Sequence, residues 1–299
     1  MVAGNDGPAI RRRAGTRRDE QTMTDAPAKP PIGPRTRLCM SLAGRPGSFG
    51  SRFHNRLYER LGLDYVYKAF TTTDLPAAIG GVRALGIRGC AVSMPFKEAV
   101  IPLLDGLEGS AAAIDSVNTI VNDDGRLTGH NTDYSAIADL LDREGIDPAT
   151  PFLLAGSGGM AKAVAAALRD RGHRDGTVVA RNPVSGRALA DLYGFAWAPD
   201  TVGRTAALLV NATPVGMAGA DADRLAFPEA AVAAAEVVFD VVALPVETPL
   251  MRAAAALGRR RISGAEVAVL QALEQFVLYT GVRPDRAVVD EAAAYARSA

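Results

Sequence analysis

This 299-residue chain has only two cysteines, no excess of charge of either sign, and no long apolar run. The two cysteines, Cys39 and Cys90, each lie in an apolar run that predicts a buried strand. This usage favours a reducing cytoplasm over a disulfide scaffold, although a single bridge between the two stays open. Because Lys+Arg and Asp+Glu both count 33, nothing favours a nucleic acid or an acidic membrane surface as a partner. No stretch approaches about 18 uninterrupted apolar residues, so we predict no membrane span.

The residues that are abundant fit an ordinary soluble protein with a small, discrete ligand. Hydrophobic residues make 48% of the chain and charged residues 22%, a balance too apolar for a disordered protein. The length corresponds to about two domains. Residues 1–36 contain an arginine cluster and several prolines but no apolar segment of a secretory signal. We therefore expect a disordered tail there and a cytoplasmic protein.

Beyond the tail, strand-like and helix-like runs alternate, which predicts an α/β fold. The strand-like runs of the first region are LCMSL, YVYKAF and RGCAVSM, and helices are predicted over 51–62, over 74–86 and around 95–115. Two further strand-like runs meet at Asp124-Gly125, a dipeptide that favours a tight hairpin turn. This hairpin ends the first region.

A second series of strands and helices covers residues 133–262 and has the pattern of a doubly wound nucleotide-binding domain. Two helices remain, at roughly 264–280 and 283–297. Since the second domain is complete before them, we expect them to pack back on the first, which then comprises 37–132 and 263–299. The predicted architecture is a small mixed α/β substrate domain and a Rossmann domain, with a cleft between them where small-molecule sites concentrate.

A glycine-rich turn opens this second series. Gly156, Gly158 and Ala161 have the spacing G-x-G-x-x-A, directly after an apolar strand and at the start of an Ala-rich helix. The first glycine permits the tight turn, the second lets a pyrophosphate approach the backbone, and the small third residue lets helix and strand pack together. The helix N-terminus attracts the phosphates. The pattern predicts a dinucleotide site, with an ordinary strand-to-helix turn as the alternative.

The end of the next strand indicates which dinucleotide binds. NAD sites usually offer an acid there to the ribose 2′-hydroxyl. Here GTVVARNP ends in Arg181 and Asn182, and no carboxylate follows until Asp191. Because a guanidinium suits a 2′-phosphate, the sequence favours NADP. A solvent-exposed arginine on a loop is the alternative.

Two ionisable residues of the first region indicate chemistry at a carbonyl group. Lys97 follows Pro95 and Phe96 at the predicted start of a helix, where the helix dipole disfavours a cation. Asp133 lies where the chain leaves the first region, which places it on the floor of the cleft. An ammonium paired with a carboxylate would form an acid/base dyad, because the alkoxide formed by hydride arrival must take a proton. A plain helix N-cap is the alternative for Asp133.

Eight motifs in order resemble the shikimate dehydrogenase family from about residue 37 to the end. They are GRPGSFGSRFHN, VSMPFKE, SVNTI, NTD, GSGGMA, NATPVGM, FDVVALPVETPL and SGAEVAVLQA. The resemblance implies an NADP-binding Rossmann domain and a substrate domain around a cleft in which 3-dehydroshikimate is reversibly reduced to shikimate, a step of aromatic amino acid biosynthesis.

The resemblance also implies roles for individual residues. Lys97 and Asp133 match the catalytic lysine and aspartate, which transfer the proton at the reacting oxygen. The residues that match substrate contacts are Ser48 for the carboxylate, Ser93 in the place of a threonine, Asn118 for a hydroxyl, and Gln271. The residues that match cofactor contacts are Gly156, Gly158, Gly159, Ala161, Arg181, Asn182 in the place of a threonine, and, near the nicotinamide half, Thr213, Val241 and Gly264.

The chain departs from the family pattern mainly around the substrate. Gly50 stands at the second serine of the carboxylate-binding segment, Ala91 replaces an asparagine, and Ala243 replaces a substrate-contacting tyrosine. On the cofactor side, Ser185 replaces an arginine. The chemistry is thus kept while the substrate contacts are altered. Two alternatives stay open: a related substrate such as quinate or an aminated shikimate, and an NADP-binding protein without turnover, against which the retained dyad argues.

The histidines and the last apolar helix have structural interpretations. His54 is expected to open a helix and to cap or pack there, and His130 and His173 are isolated. No His, Cys and Asp cluster has ligand spacing, so we predict no metal site. The helix LQALEQFVLYTG is expected to be core apart from Gln271. The sequence does not indicate an oligomeric state.

Overall fold

Two six-stranded sheets form the framework of the molecule. The computed structural model describes residue 1 and residues 28–298, so most of the predicted disordered tail lies outside the described residues. Within the described part of the chain, no helix is long and apolar enough to cross a membrane. The predicted two-domain α/β class is confirmed, since each sheet has its own helices and core.

The first sheet is mixed. Its strands are β1 (Arg37–Leu42), β2 (Tyr65–Phe70), β3 (Gly89–Val92), β4 (Gly106–Leu107), β5 (Thr119–Asp123) and β6 (Arg126–His130). They lie in the order β2-β1-β3-β5-β6-β4, with β1 parallel to β2 and β3, and β5 antiparallel to β3 and β6. The predicted hairpin joins β5 to β6, and Asp124 and Gly125 take the positive φ angles, 50° and 91°, that such a turn requires.

The helices of this part are α1 (Phe49–Arg60), α2 (Leu75–Ala84) and α3 (Gly109–Ala112), with a single 3₁₀ turn over Ile101–Leu103. The first two agree with the predicted helices, but the segment predicted as helical around 95–115 is mostly turns. Pro102 has no backbone N–H, and its ring would clash with the carbonyl of residue 98, so a regular helix cannot run through this segment. Lys97 therefore lies in a turn and not at the start of a helix, so the helix-dipole argument for its placement was wrong.

The second sheet is fully parallel. Helix α4 (Thr132–Arg143) leads into its strands, which are β7 (Phe152–Ala155), β8 (Gly176–Val179), β9 (Ala196–Ala198), β10 (Leu208–Asn211), β11 (Val237–Asp240) and β12 (Arg260–Ser263). The helices between them are α5 (Gly159–Asp170), α6 (Pro183–Tyr193), α7 (Glu229–Ala234) and α8 (Pro249–Ala256). The spatial order β12-β11-β10-β7-β8-β9 reverses direction between β7 and β10, the switch point at which doubly wound sheets bind nucleotides.

The last two helices, α9 (Gly264–Thr280) and α10 (Arg286–Arg297), pack back on the first sheet. Their buried side chains, including Phe276, Tyr279 and Ala293, share one core with Phe53 and Tyr58 of α1. Helix α4 packs against both α5 and α9, so it lies between the two parts of the molecule. The chain thus leaves the first part through α4 and returns through α9, although the limits of the two predicted domains stay a prediction.

The two cysteines form no disulfide. Both are fully buried, and burial raises the pKa of each thiol to about 12. Cys39 pairs across the strands with Gly89, so Cys90 is displaced by one residue along β3. Because successive side chains of a strand point to opposite faces, the two thiols lie on opposite sides of the sheet and cannot bond.

His54 lies within α1 and does not open it. Its ring is fully buried and stacks on Tyr67, with centroids 4.4 Å apart. Burial lowers the pKa of His54 to about 3, so the ring is neutral in the folded protein. It is a packing residue, as the sequence predicts.

Candidate active site

Lys97 and Asp133 form a direct ion pair, with 2.6 Å between Nζ and Oδ2. The turn after β3 carries Lys97, and its carbonyl accepts a hydrogen bond from the Val117 N–H at 2.9 Å. Asp133 lies in the first turn of α4, but Asn131 is the residue that caps the helix, by accepting from the Tyr134 N–H. The alternative role of Asp133 as an N-cap is therefore wrong. The carboxylate is free for the lysine, with 4% of its side chain exposed against 21% for Lys97.

The Asn118 amide bonds to Thr132, the residue before Asp133, and has one group without a partner. Its Oδ1 accepts from the Thr132 N–H at 2.8 Å and from the hydroxyls of Thr119 and Thr132 at 2.8 and 3.2 Å. Because a backbone N–H can only donate, these bonds fix which end of the amide is oxygen. Asn118 Nδ2 is buried and donates to no protein atom. A buried donor left unpaired costs free energy, so this atom is a fitting place for a substrate oxygen.

Gln275 is a buried polar residue near Asn118 that the sequence analysis assigned to the core. It is 4% exposed, and its Nε2 donates to Thr119 Oγ1 at 3.0 Å and to the Asn118 carbonyl at 3.3 Å. A signal was present in the sequence, because Gln275 follows Gln271 by four residues and so lies on the same face of α9. Gln271 itself is half-buried.

The two predicted serine contacts lie near the ends of β1 and β3. Ser93 follows β3, and its N–H donates to the Leu42 carbonyl at 2.9 Å, which ties the two strand ends together. Ser48 directly precedes α1, and its hydroxyl does not cap that helix. Both serines are exposed. Among the described residues, no hydrogen bond joins their side chains or that of Gln271 to the dyad.

The predicted dinucleotide loop lies at the switch point of the second sheet. Gly156 has φ +121°, and a Cβ there would come within 2.8 Å of the Ala212 carbonyl oxygen, so only glycine fits. Gly158 precedes α5, and no atom lies within 4 Å of the place of its missing Cβ. Gly159 begins the helix, and Ala161, in its first turn, is fully buried. The loop therefore offers an open backbone and a helix N-terminus to a phosphate group.

Arg181 and Asn182 follow β8, the strand next to β7. Arg181 is exposed, whereas the Asn182 side chain caps α6 by accepting from the N–H groups of Val184 and Ser185 at 2.9 and 3.3 Å. The Ser185 hydroxyl lies 2.9 Å from that of Ser157 and so joins α6 to the glycine-rich loop. Among the described residues, Arg181 makes no ion pair or side-chain hydrogen bond, and Asn182 fixes the geometry of the loop.

Thr213, Val241 and Gly264 follow the ends of β10, β11 and β12. The hydroxyl of Thr213 donates to Asn211 Oδ1 at 2.6 Å, and Asn211 Nδ2 donates to Asp240 at 3.0 Å. A Cβ on Gly264 would lie 2.4 Å from the Val241 carbonyl, so glycine is required there.

Asp240 is the centre of a network that the sequence analysis did not single out. Its carboxylate is fully buried and also accepts from Thr248 Oγ1 at 2.6 Å and the Val242 N–H at 3.1 Å. Burial raises the pKa of Asp240, while these hydrogen bonds oppose the rise. The network holds the loops after β10 and β11 in place. Its sequence signal was weak, because Asp240 ends an apolar run and looks like a strand terminus.

One ion pair joins the dyad turn to the second part of the molecule. Lys162, in the first turns of α5, lies 2.7 Å from Glu98, the residue after Lys97. The glycine-rich loop and the dyad are therefore neighbours in space. No group of three or more His, Cys, Asp or Glu side chains within the described residues is placed to hold a metal ion.

The sequence and fold match those of known dehydrogenases. Residues 47–120 match the family model of the shikimate dehydrogenase substrate binding domain. A shikimate dehydrogenase-like protein of Haemophilus influenzae is 54% identical over 268 residues, which cover 89% of this chain and 99% of that protein. The chain belongs to the shikimate dehydrogenase family. The resemblance predicted from the eight motifs is therefore confirmed.

Solved structures of family members superpose over most of the chain. A shikimate 5-dehydrogenase-like protein matches with a TM-score of 0.87 and 54% identity over 89% of this chain and 100% of that one. The shikimate 5-dehydrogenase of Thermus thermophilus, in complex with NADP(H) and shikimate, matches with 0.77 and 35% over 87% and 99%. The quinate dehydrogenase of Corynebacterium glutamicum, in complex with NAD, matches with 0.78 and 29% over 87% and 98%.

Proposed function

We propose that the protein is an NADP-dependent dehydrogenase that interconverts 3-dehydroshikimate and shikimate, with Lys97 and Asp133 as its acid/base dyad. The observation that carries the proposal is the 2.6 Å ion pair, and the buried, unpaired amide donor of Asn118, which bonds to the residue before Asp133, supports it. Membership of the shikimate dehydrogenase family supports the class of reaction. A protein that only binds the cofactor would have no use for a proton-transfer pair.

The residues of the glycine-rich loop fit a dinucleotide. The open space at Gly158 leaves room for a diphosphate against the backbone, and the N-terminus of α5 favours its negative charge. Exposed Arg181 would hold the 2′-phosphate, which favours NADP over NAD. When bound, the nicotinamide accepts hydride from the alcohol carbon or donates hydride to the ketone carbon.

Lys97 would exchange the proton of the reacting oxygen. In shikimate oxidation the hydroxyl loses its proton as the hydride leaves the same carbon, and in the reverse direction the new alkoxide takes a proton. Asp133 would orient the Lys97 amine and stabilise its charged form, because the carboxylate is buried and its oxygen lies 2.6 Å from Nζ. Asn118 would donate from Nδ2 to a substrate hydroxyl and so hold the ring against the dyad.

A related substrate is the second candidate. Ala243 and Gly50 leave out two side chains that the family pattern uses for the substrate, and each lost hydrogen bond to a charged group is worth about 1.5 to 3 kcal/mol. Two uncompensated losses would mean weak binding of shikimate itself. The similarity to a quinate dehydrogenase supports testing quinate, and an aminated shikimate follows from the same altered contacts.

The test is a reduction assay with the purified protein. NADP and NAD are each offered with shikimate, quinate and aminoshikimate, and kcat/KM is compared across the six combinations. The proposal expects the highest value for NADP with shikimate. A higher value with quinate or aminoshikimate would favour the second candidate. No reduction with any combination would contradict the enzyme proposal.

A further inference from the structure

The direction of the Asn118 amide depends on the protons around its oxygen. Three donors converge on Oδ1, one of them the Thr119 hydroxyl at 2.8 Å. A threonine hydroxyl has one proton and two lone pairs, so it can also accept. The Thr132 N–H fixes Oδ1 as the end of the amide that faces these groups, so a Thr119 lone pair turned toward it would be repelled. The Thr119 proton must therefore point at Asn118.

Gln275 sets the direction of that proton. Its Nε2 donates to Thr119 Oγ1 at 3.0 Å and occupies a lone pair of the hydroxyl. The Thr119 proton then has two acceptors within reach, Asn118 Oδ1 at 2.8 Å and Thr132 Oγ1 at 3.4 Å, and the closer one is Asn118. The same Nε2 also reaches the Asn118 carbonyl at 3.3 Å, which holds the main chain of this residue.

Burial makes this chain of hydrogen bonds hard to replace with water. Asn118 and Thr119 are fully buried, and Gln275 is 4% exposed. In such surroundings a polar group without a partner costs more than at the surface, so each member depends on the next. The helix that carries Gln275 also contributes Phe276 and Tyr279 to the core against the first sheet. Gln275 is thus a polar side chain in a core position that an apolar residue could fill.

We infer that Gln275 is a positioning residue for substrate binding, which acts through Thr119 to keep the Asn118 Nδ2 directed at a substrate hydroxyl. The inference rests on the proposed function, because it takes Asn118 as a substrate ligand. Gln275 does not touch the substrate in this account. It affects the affinity for the substrate and not the affinity for the cofactor.

The test is the Gln275→Met variant, which keeps the length of the side chain and removes the donor. We expect KM for shikimate, or for the best substrate of the assay above, to rise about tenfold, the effect of one hydrogen bond. KM for NADP should stay as in the wild type. In an Asn118→Ala background, Gln275→Met should change substrate affinity no further, because the group that it positions is gone. Glu274→Met, the same replacement one residue earlier at a partly exposed position, is the matched control and should leave both KM values unchanged.

A second measurement does not depend on activity. The side-chain amide signals of Asn118 in ¹⁵N NMR of the ligand-free protein should shift or broaden in Gln275→Met and stay unchanged in Glu274→Met. If Gln275→Met lowers the melting temperature but leaves both the substrate KM and the Asn118 signals unchanged, Gln275 is only a core residue and the inference is wrong. If the wild-type protein turns over none of the substrates while the Asn118 signals respond, the proposed function fails and the positioning of the amide stands.

Discussion

Removal of either member of the dyad should reduce turnover strongly. We expect Lys97→Ala and Asp133→Ala each to lower kcat by about a hundredfold or more, the range for loss of general acid/base assistance. A hundredfold corresponds to about 2.7 kcal/mol in the activation barrier. The physical reason is that hydride transfer at a secondary alcohol carbon requires handling of the oxygen's proton, which the nicotinamide does not provide. Steady-state rates with saturating shikimate and NADP measure the effect.

The structure predicts that the two single variants differ in stability. Lys97→Ala leaves the Asp133 carboxylate buried and unpaired, since only 4% of that side chain is exposed. Asp133→Ala leaves an ammonium that already reaches water, with 21% of the side chain exposed. Breaking a buried pair costs about 3 to 5 kcal/mol when the remaining charge stays buried. Lys97→Ala should therefore melt at a lower temperature than Asp133→Ala, and the double variant should melt above Lys97→Ala.

The double variant also decides whether the two residues act as a unit. If they do, its kcat should be little lower than that of the worse single variant, whereas independent roles would multiply to about ten-thousandfold. The matched control is Lys68→Ala, which should keep its activity, because Lys68 lies in β2 and its ammonium contacts the Ala69 carbonyl and the Phe70 ring. Fully multiplicative losses would refute the dyad. Near-normal turnover in Lys97→Ala would show that the proton transfer does not take place at this site.

Three further predictions follow from single residues. Arg181→Asp should shift the ratio of kcat/KM for NADP and NAD toward NAD, and an unchanged ratio would exclude Arg181 from cofactor selection. Gly158→Ala should keep its melting temperature, because no atom lies within 4 Å of the added Cβ, but should bind NADP more weakly in a fluorescence titration; undiminished affinity would contradict the proposed diphosphate site. His54→Phe should lose less stability in acid than the wild type. The folded pKa of His54 is about 3 against an ordinary 6.5, so below pH 6.5 the unfolded chain binds a proton that the fold excludes. The wild type should then lose about 1.4 kcal/mol per pH unit more than the variant, and equal slopes in urea titrations between about pH 6 and pH 4 would disprove the account.

The glycine-rich region of the doubly wound part was predictable because its signals are local. The strand, the Gly156 turn and the helix follow one another directly in the sequence. Each is indicated by the residue types at its own positions, so one sequence is enough to predict them. The hairpin at Asp124-Gly125 was predictable for the same reason, since this dipeptide tolerates the positive φ angles that the turn requires. The packing of α9 on the first sheet was predictable from the number of strands, because the second domain already had a complete set of strands before this helix.

The polar contacts around Asn118 could not be predicted, because they depend on tertiary structure. Gln275 and Thr119 are 156 residues apart. Helical periodicity places Gln275 in the core, but it does not indicate whether the side chain has a hydrogen-bond partner there. Lys97 was predicted to be a functional residue, but the reason first given for its placement was wrong, since the segment after Pro95 forms turns. Its pairing with Asp133 became visible only when β3 and the start of α4 were brought together by the fold.

The two free thiols allow the opening of the first sheet to be measured by chemical labelling. Cys39 and Cys90 are the only cysteines of the chain, and both belong to the first sheet. Fully buried, with the pKa of each raised to about 12, they are protected from a thiol-specific reagent as long as the sheet is closed. Labelling of the unmodified protein therefore reports on the opening of the first sheet. The parallel sheet that carries the glycine-rich loop contains no cysteine, so an opening of that sheet alone adds no label.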